Sequence, residues 1–250
     1  MPLLYTSFLG RTPGGGGGGG GGDPHWDNVV LLAGFGGSDG ATSSPDESQS
    51  GHSLGFNGDA QLDTAQQAFG VSSLLLDGSG DFVQAADHDD FDVGDGDFTL
   101  EQLVRFSATS GSRTFMSKWV NAGNQKTFLF RRNQTAGDLQ FFYSTNGSGN
   151  TLVAGSWAVS TDTWYHVVSE RSGDTLRLYA AELGSVGSVI ATADVTGVTF
   201  FDSTAPVQIA ALEGASAFAG WMDEVRLTKG VARYQGTLPA LTEAFPRVAA

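Results

Sequence analysis

Phe218-Ala-Gly-Trp-Met-Asp-Glu-Val-Arg-Leu-Thr-Lys-Gly-Val-Ala-Arg-Tyr234 decides how the rest of this chain is read. At period two it is a strand, with Ala219, Trp221, Asp223, Val225 and Leu227 on one side and Met222, Glu224 and Arg226 on the other. Asp223 then stands inside an otherwise apolar face, where a carboxylate is costly unless something satisfies it. The residues from Thr228 to Tyr234 can turn the chain back toward the body of the protein.

Upstream, from Asp23 onward, short apolar or alternating runs are punctuated by Gly, Asn, Asp and Ser. Strands are predicted over 29–35, 72–77, 82–85, 98–106, 114–119, 127–132, 139–143, 164–171, 175–180, 207–212 and 217–228. Residues 60–69 come nearest to helical periodicity and are expected to form a turn or loop. So many short strands argue for an all-β sandwich in one domain, 23–250, with no internal repeat. Ahead of it lie an arm, 1–13, carrying Leu3, Leu4, Tyr5, Phe8 and Leu9, and nine consecutive glycines, 14–22. Large apolar side chains on a free arm suit an interface, and polyglycine suits a tether, so the arm is expected to anchor the domain to a partner.

These segments carry a resemblance. The closing stretch resembles the last strand of laminin-G-like, concanavalin-type jelly rolls of the kind found in bacteriophage structural proteins. Asp27-Asn-Val-Val-Leu-Leu32, Gln61-Leu-Asp-Thr-Ala65, Ser73-Leu-Leu-Leu-Asp-Gly78, Gly96-Asp-Phe-Thr-Leu-Glu101, Thr163-Trp-Tyr-His-Val167 and Thr242-Glu-Ala-Phe-Pro246 match in the same order. The resemblance implies an antiparallel β-sandwich jelly roll. For function it implies a non-enzymatic virion protein: a tail-fibre or tail-tip adhesin that binds host surface glycan, made in the host cytoplasm and assembled through its arm with other virion proteins. The alternatives are a capsid decoration protein (head fibre) or a carbohydrate-binding module of a secreted protein. Phage fibres are often trimers, and three polyglycine runs could pack without side-chain clash, which leaves a homotrimer open.

Composition narrows the partners. Thirteen Lys and Arg against 27 Asp and Glu give the 250-residue chain a net charge of −14, which repels nucleic acid and anionic lipid. No apolar run approaches the roughly 20 residues of a membrane span, and the arm lacks the basic start and long apolar core of a signal peptide. Neither nucleic acid nor membrane is an expected partner. There are no cysteines, so thiolate metal sites and disulfides are excluded.

Asp223 is the candidate metal ligand. In relatives of this fold, an aspartate of the closing strand often holds a structural Ca2+ together with backbone carbonyls; the same carboxylate could instead be satisfied by backbone N–H groups. Relatives often show Phe-Asp-Gly after the first strand, where this chain has Phe35-Gly36-Gly37, so one carboxylate is missing. No other cofactor is expected. The acidic run 87–97 fails the EF-hand pattern, with Gly94 and Asp95 in the wrong places, and reads as a solvated turn or an adventitious cation site. Four histidines are too scattered to predict a metal trio, and His166 reads as a hydrogen-bonded core residue.

Catalysis finds no constellation. A glycosidase needs paired carboxylates at a fixed separation, and none of the seven glutamates sits in such a pattern; Asp223 and Glu224 are adjacent and face opposite ways on a strand. No serine-hydrolase elbow or phosphate loop is present. Sugar recognition needs aromatic faces beside polar groups, and Trp119, Tyr143, Lys118 and Arg131 are the residues that offer them. Gln102, Ser169 and Glu170 replace the apolar residues that relatives carry, which predicts either wetter positions or contact with a partner.

Overall fold

The computed structural model describes residues 21–133, 137–215 and 218–250. Its strands are β1 (Val29–Ala33), β2 (Gly55–Asn57), β3 (Gln61–Asp63), β4 (Ser73–Asp77), β5 (Phe82–Ala85), β6 (Phe98–Phe106), β7 (Arg113–Val120) and β8 (Gln125–Arg132). There follow β9 (Asp138–Gly147), β10 (Thr151–Ser156), β11 (Trp164–Ser172), β12 (Thr175–Glu182), β13 (Ser188–Asp194), β14 (Val207–Ile209) and β15 (Ala219–Lys229). One sheet runs β13-β12-β11-β6-β15-β4-β3, with β1 also paired to β15; the other runs β10-β9-β8-β7-β14-β5-β2. Every strand pairing is antiparallel, and the two sheets make a jelly-roll sandwich. The arm residues Leu3, Leu4, Tyr5, Phe8 and Leu9 lie outside the described residues.

Between the sheets lies an aromatic core. Phe98, Val104, Val167, Met222, Val225 and Leu227 of one sheet pack in one cluster with Phe128, Phe130, Phe141 and Ile209 of the other. Phe128 and Phe141 stack at 6.0 Å, and Phe106 lies 5.2 Å from Phe218. Each such ring contributes about 1.5–3 kcal/mol by leaving water, which makes this seam the main support of the sandwich.

β15 is central, as its sequence implies, but its faces differ from a simple alternation. The register against β6 shifts between Asp223 and Arg226, and Glu224 takes a left-handed φ of 51°. This bulge swaps the sides of the strand midway. Met222, Val225 and Leu227 therefore face the core together, while Trp221 and Asp223 point away from it. Trp221 donates its indole N–H to Asp63 at 2.7 Å, under the guanidinium of Arg105.

The outer face of the β6–β15 sheet is covered as well. After Gly230 the chain turns back, and Tyr234 and Leu238 pack on Val168, Tyr179 and Ala181 while Phe245 packs on Val29 and Leu32. β1 is buried along its whole length for this reason, which explains why Val-Val-Leu-Leu-Ala does not alternate. Beneath the returning tail sits a polar cluster. Glu101 accepts from the Arg226 guanidinium at 2.7 and 2.9 Å, from the Tyr234 hydroxyl, and pairs with His166 Nε2 at 2.9 Å. Arg226 and Arg233 both reach Asp23 at the start of the domain.

The tail also corrects the reading of the substituted polar positions. Glu170 is fully buried and accepts from the Tyr179 hydroxyl and from the N–H groups of Tyr234 and Gln235. Gln102 and Ser169 are fully buried too; the Gln102 amide and the Ser169 hydroxyl have no protein partner among the described residues. All three positions are buried and do not present to a partner. The chain's own C-terminal segment takes Glu170, and the core side of the sheet takes Gln102.

Candidate functional site

On the outer face of the β7–β8–β9 sheet the side chains are less thoroughly covered. Register places Leu129 opposite Phe142 on one side and Leu152 opposite it on the other, and Arg131 opposite Gln140. Alternation along β9 sends Leu139, Phe141 and Tyr143 into the core, so Gln140 and Phe142 face outward. Phe142 is half-buried and Leu152 is 46% exposed. The Arg131 guanidinium lies 4.8 Å over the Phe142 ring, and its Nε donates to Gln140 Oε1 at 3.0 Å. Its two terminal nitrogens have no hydrogen-bond partner among the described residues. Burial lowers the pKa of Arg131 from its usual value, yet a guanidinium stays charged at neutral pH.

At the end of the same face, Trp119 meets Phe142 edge-on at 6.4 Å, and Lys126 stands 5.4 Å over the indole. The Trp119 N–H donates to Asn121 Oδ1. Asn121 is in turn held by both carboxylate oxygens of Glu213, at 2.8 Å to its N–H and 2.6 Å to its side chain, so the loop 121–126 is fixed to the sheet. Together the patch offers the half-buried Phe142 ring and the exposed Leu152, a guanidinium plane whose terminal N–H groups have no partner among the described residues, and the Lys126 ammonium, which also donates to the Ser148 carbonyl at 2.8 Å. Such a set can hold a polyhydroxylated ring by its C–H face and its hydroxyls.

Of the four residues expected from the sequence to bind sugar, the structure presents Arg131 on this face, leaves Trp119 buried at its edge, and turns two inward. Lys118 is fully buried: the bulge at Lys118–Trp119 turns it inward, where its ammonium bonds Asp87 at 2.6 Å and the carbonyl of Ser203. Tyr143 stacks face to face on Phe200 at 4.7 Å, inside the core. Neither is available to a ligand. Nothing in the sequence marked Phe142 or Gln140, because their direction depends on which side of β9 meets the core. Of the pair Phe141-Phe142, one ring had to face out, and only the register decides which.

Asp223 is fully buried, and its oxygens accept from the N–H groups of Ala68, Phe69 and Glu224 at 2.9–3.1 Å. Burial, with Glu224 beside it, pushes this carboxyl up to about 8 against the pull of the three N–H donors. Three N–H dipoles aimed at the carboxylate occupy the directions a cation would approach from. The donor set does not fit the calcium reading.

The other carboxylates with catalytic potential are spent in pairs. Glu101 and Glu170 are occupied as described above, and Glu224 accepts from the N–H of Phe245 and from Arg247 at 2.6 and 2.8 Å. All three lie under the C-terminal tail, away from the open face.

A sequence model of the concanavalin A-like lectin/glucanases superfamily matches residues 77–233. No curated protein matches the sequence. Among solved structures, the botulinum neurotoxin serotype C1 binding domain is similar at TM-score 0.56 and 14% identity, over 82% of this chain and 50% of that one. The botulinum neurotoxin DC binding domain, solved in complex with SialylT, gives a TM-score of 0.57 at 14% identity, over 82% of this chain and 49% of that one. This chain thus spans about half the length of those toxin domains. Domain 4 of AbnA, an extracellular arabinanase from Geobacillus stearothermophilus in complex with arabinotriose, gives 0.54 at 14% identity, over 82% of this chain and 94% of that domain. At such identities the likeness is one of fold.

Proposed function

The chain belongs to the concanavalin A-like lectin/glucanase superfamily, and on that premise we propose that it is a glycan-binding domain without catalytic activity. The observation that carries this reading is the Arg131–Phe142 stack on an open sheet face, with guanidinium N–H groups that have no partner among the described residues and the exposed Leu152 beside it. A similar fold in complex with arabinotriose supports the same class of ligand. The net charge of −14 disfavours a heavily anionic polysaccharide, so a neutral glycan is the expected partner. The occupied state of Glu101, Glu170 and Glu224 supports the absence of glycoside cleavage, since a glycosidase needs two carboxyls facing one bond.

In this reading the domain is displayed on a bacteriophage particle as a tail-fibre or tail-tip adhesin. The segment 1–13 anchors it and the glycines let it stand off. The resemblance to phage structural domains and the apolar arm support that placement; a capsid decoration protein would use the same parts. Antibody–gold labelling of purified particles tests it. Label at the tail end is expected. Label spread over the head would make it a decoration protein, and no label on any particle would sink both virion roles while leaving glycan binding to be tested with the isolated chain.

A further inference from the structure

His52 and His88 are 36 residues apart in sequence, and nothing in their spacing links them. The fold brings them together. The loop between β1 and β2 carries His52 against the turn between β5 and β6, which holds His88 and Asp90. The two imidazoles meet edge to face at 4.9 Å, and His52 rests 4.6 Å from the buried ring of Phe91. His52 Nε2 lies 3.0 Å from Asp90 Oδ2 and His88 Nδ1 lies 3.3 Å from the same oxygen. All three atoms fall within 4.8 Å of one another.

The hydrogen bonds around this trio do not close. The backbone N–H of Asp90 donates to His88 Nδ1 at 3.1 Å, so that nitrogen presents a lone pair and carries no proton. It therefore faces the Asp90 carboxylate, acceptor to acceptor. A cation resolves that contact. Ligand atoms at the corners of a tetrahedron with bonds of 2.0–2.1 Å stand about 3.3 Å apart, close to the 3.0 and 3.3 Å at which the two ring nitrogens stand from Asp90 Oδ2. We propose that His52 Nε2, His88 Nδ1 and Asp90 Oδ2 bind Zn2+, with solvent in the fourth position. Two imidazoles and one carboxylate suit zinc, whereas Ca2+ takes six or more oxygens.

The surroundings hold the ligands in place. Asp46, itself buried, accepts from the N–H of His52 at 2.8 Å as well as from Leu32 and from Ser48, which fixes the loop to β1. On binding, the ion takes the Nδ1 lone pair from the Asp90 amide, which sits at an exposed turn where water can replace it. His52 meets the ion as neutral imidazole through the Nε2 lone pair, with its one ring proton held on Nδ1. The bound ion ties the β1–β2 loop to the β5–β6 turn as a structural clamp.

The test is a calorimetric titration of ZnCl2 into the full chain after dialysis against a chelator, with CoCl2 absorption spectra as a second readout. One equivalent per chain is expected, with a zinc-dependent rise in Tm and the visible ligand-field bands of four-coordinate Co2+. His88→Gln, at a half-exposed ring, should keep the fold and weaken binding by more than the roughly 10–100-fold that losing an outer partner costs. His52→Gln should do the same. No zinc binding by the wild-type chain would overturn the proposal. So would wild-type affinity in both variants, or displacement of the zinc by equimolar Ca2+.

Discussion

Glu101 and Asp223 are both fully buried carboxylates on adjacent strands, and their surroundings push them opposite ways. Burial raises Glu101, but Arg226 and His166 outweigh it and hold its carboxyl far below its ordinary value near 4.5. Its folded form binds fewer protons than the unfolded chain, so its contribution is complete above about pH 4.5 and is lost as the pH falls below that. Asp223, pushed up to about 8, has the reverse sign: its contribution is complete below its ordinary value of 3.8 and is lost as the pH rises through 8. Urea unfolding between pH 3 and pH 9 reads both slopes. Glu101→Gln should cost about 3–5 kcal/mol at neutral pH by leaving Arg226 buried with half its partners, and should flatten the acid limb. Asp223→Asn should leave the acid limb intact and flatten the alkaline one. An unchanged acid limb in Glu101→Gln would contradict the role given to the Arg226 pair.

At the level of elements, the strands whose two faces differ strongly were legible. β5 and β6 begin and end where their sequence patterns do, and β15 takes its central place. The strands that escaped notice are short or marginal. β2 and β3 are three-residue edge strands, and β10 and β13 border their sheets with small and polar residues such as Thr151-Leu-Val-Ala-Gly-Ser156, where no clean alternation marks a buried side. The bulge at Asp223–Glu224 was equally hidden, because a left-handed glutamate has no turn-forming signature. Gly220 is the informative residue of β15: a Cβ there would sit 2.1 Å from the Arg105 carbonyl at a φ of 137°. Gly220→Ala must push β15 off β6 and should cost about 1–3 kcal/mol or more. Gly36→Ala, with nothing within 4 Å, should change stability by less than about 0.5 kcal/mol. Equal urea midpoints for the two variants would show that the β6–β15 contact is not the tight one described.

For the whole molecule, the fold could be read from the sequence and the site only in part. Arg131 stands on the open face with Trp119 buried at its edge, but Lys118 and Tyr143 were drawn inward by a bulge and by core register, neither of which local pattern reveals. The tail that folds over the β6–β15 sheet leaves the β7–β9 face as the more open one, and the glycan reading rests there. Deleting residues 1–13 should abolish incorporation into particles while leaving glycan binding by the purified chain unchanged, since no residue of the Arg131–Phe142 face belongs to the arm. Particles that load the truncated chain normally would remove the anchoring role without touching the domain's ligand.

The central claim is that the Arg131–Phe142 face binds glycan, and a glycan array probed in parallel with the wild-type chain and an Arg131→Ala/Phe142→Ala variant tests it most directly. The account predicts that the wild-type chain labels a restricted set of neutral glycans and that the variant, folded by circular dichroism, loses that set. A wild-type chain that labels nothing, or a variant that labels the same glycans at the same strength, would contradict it.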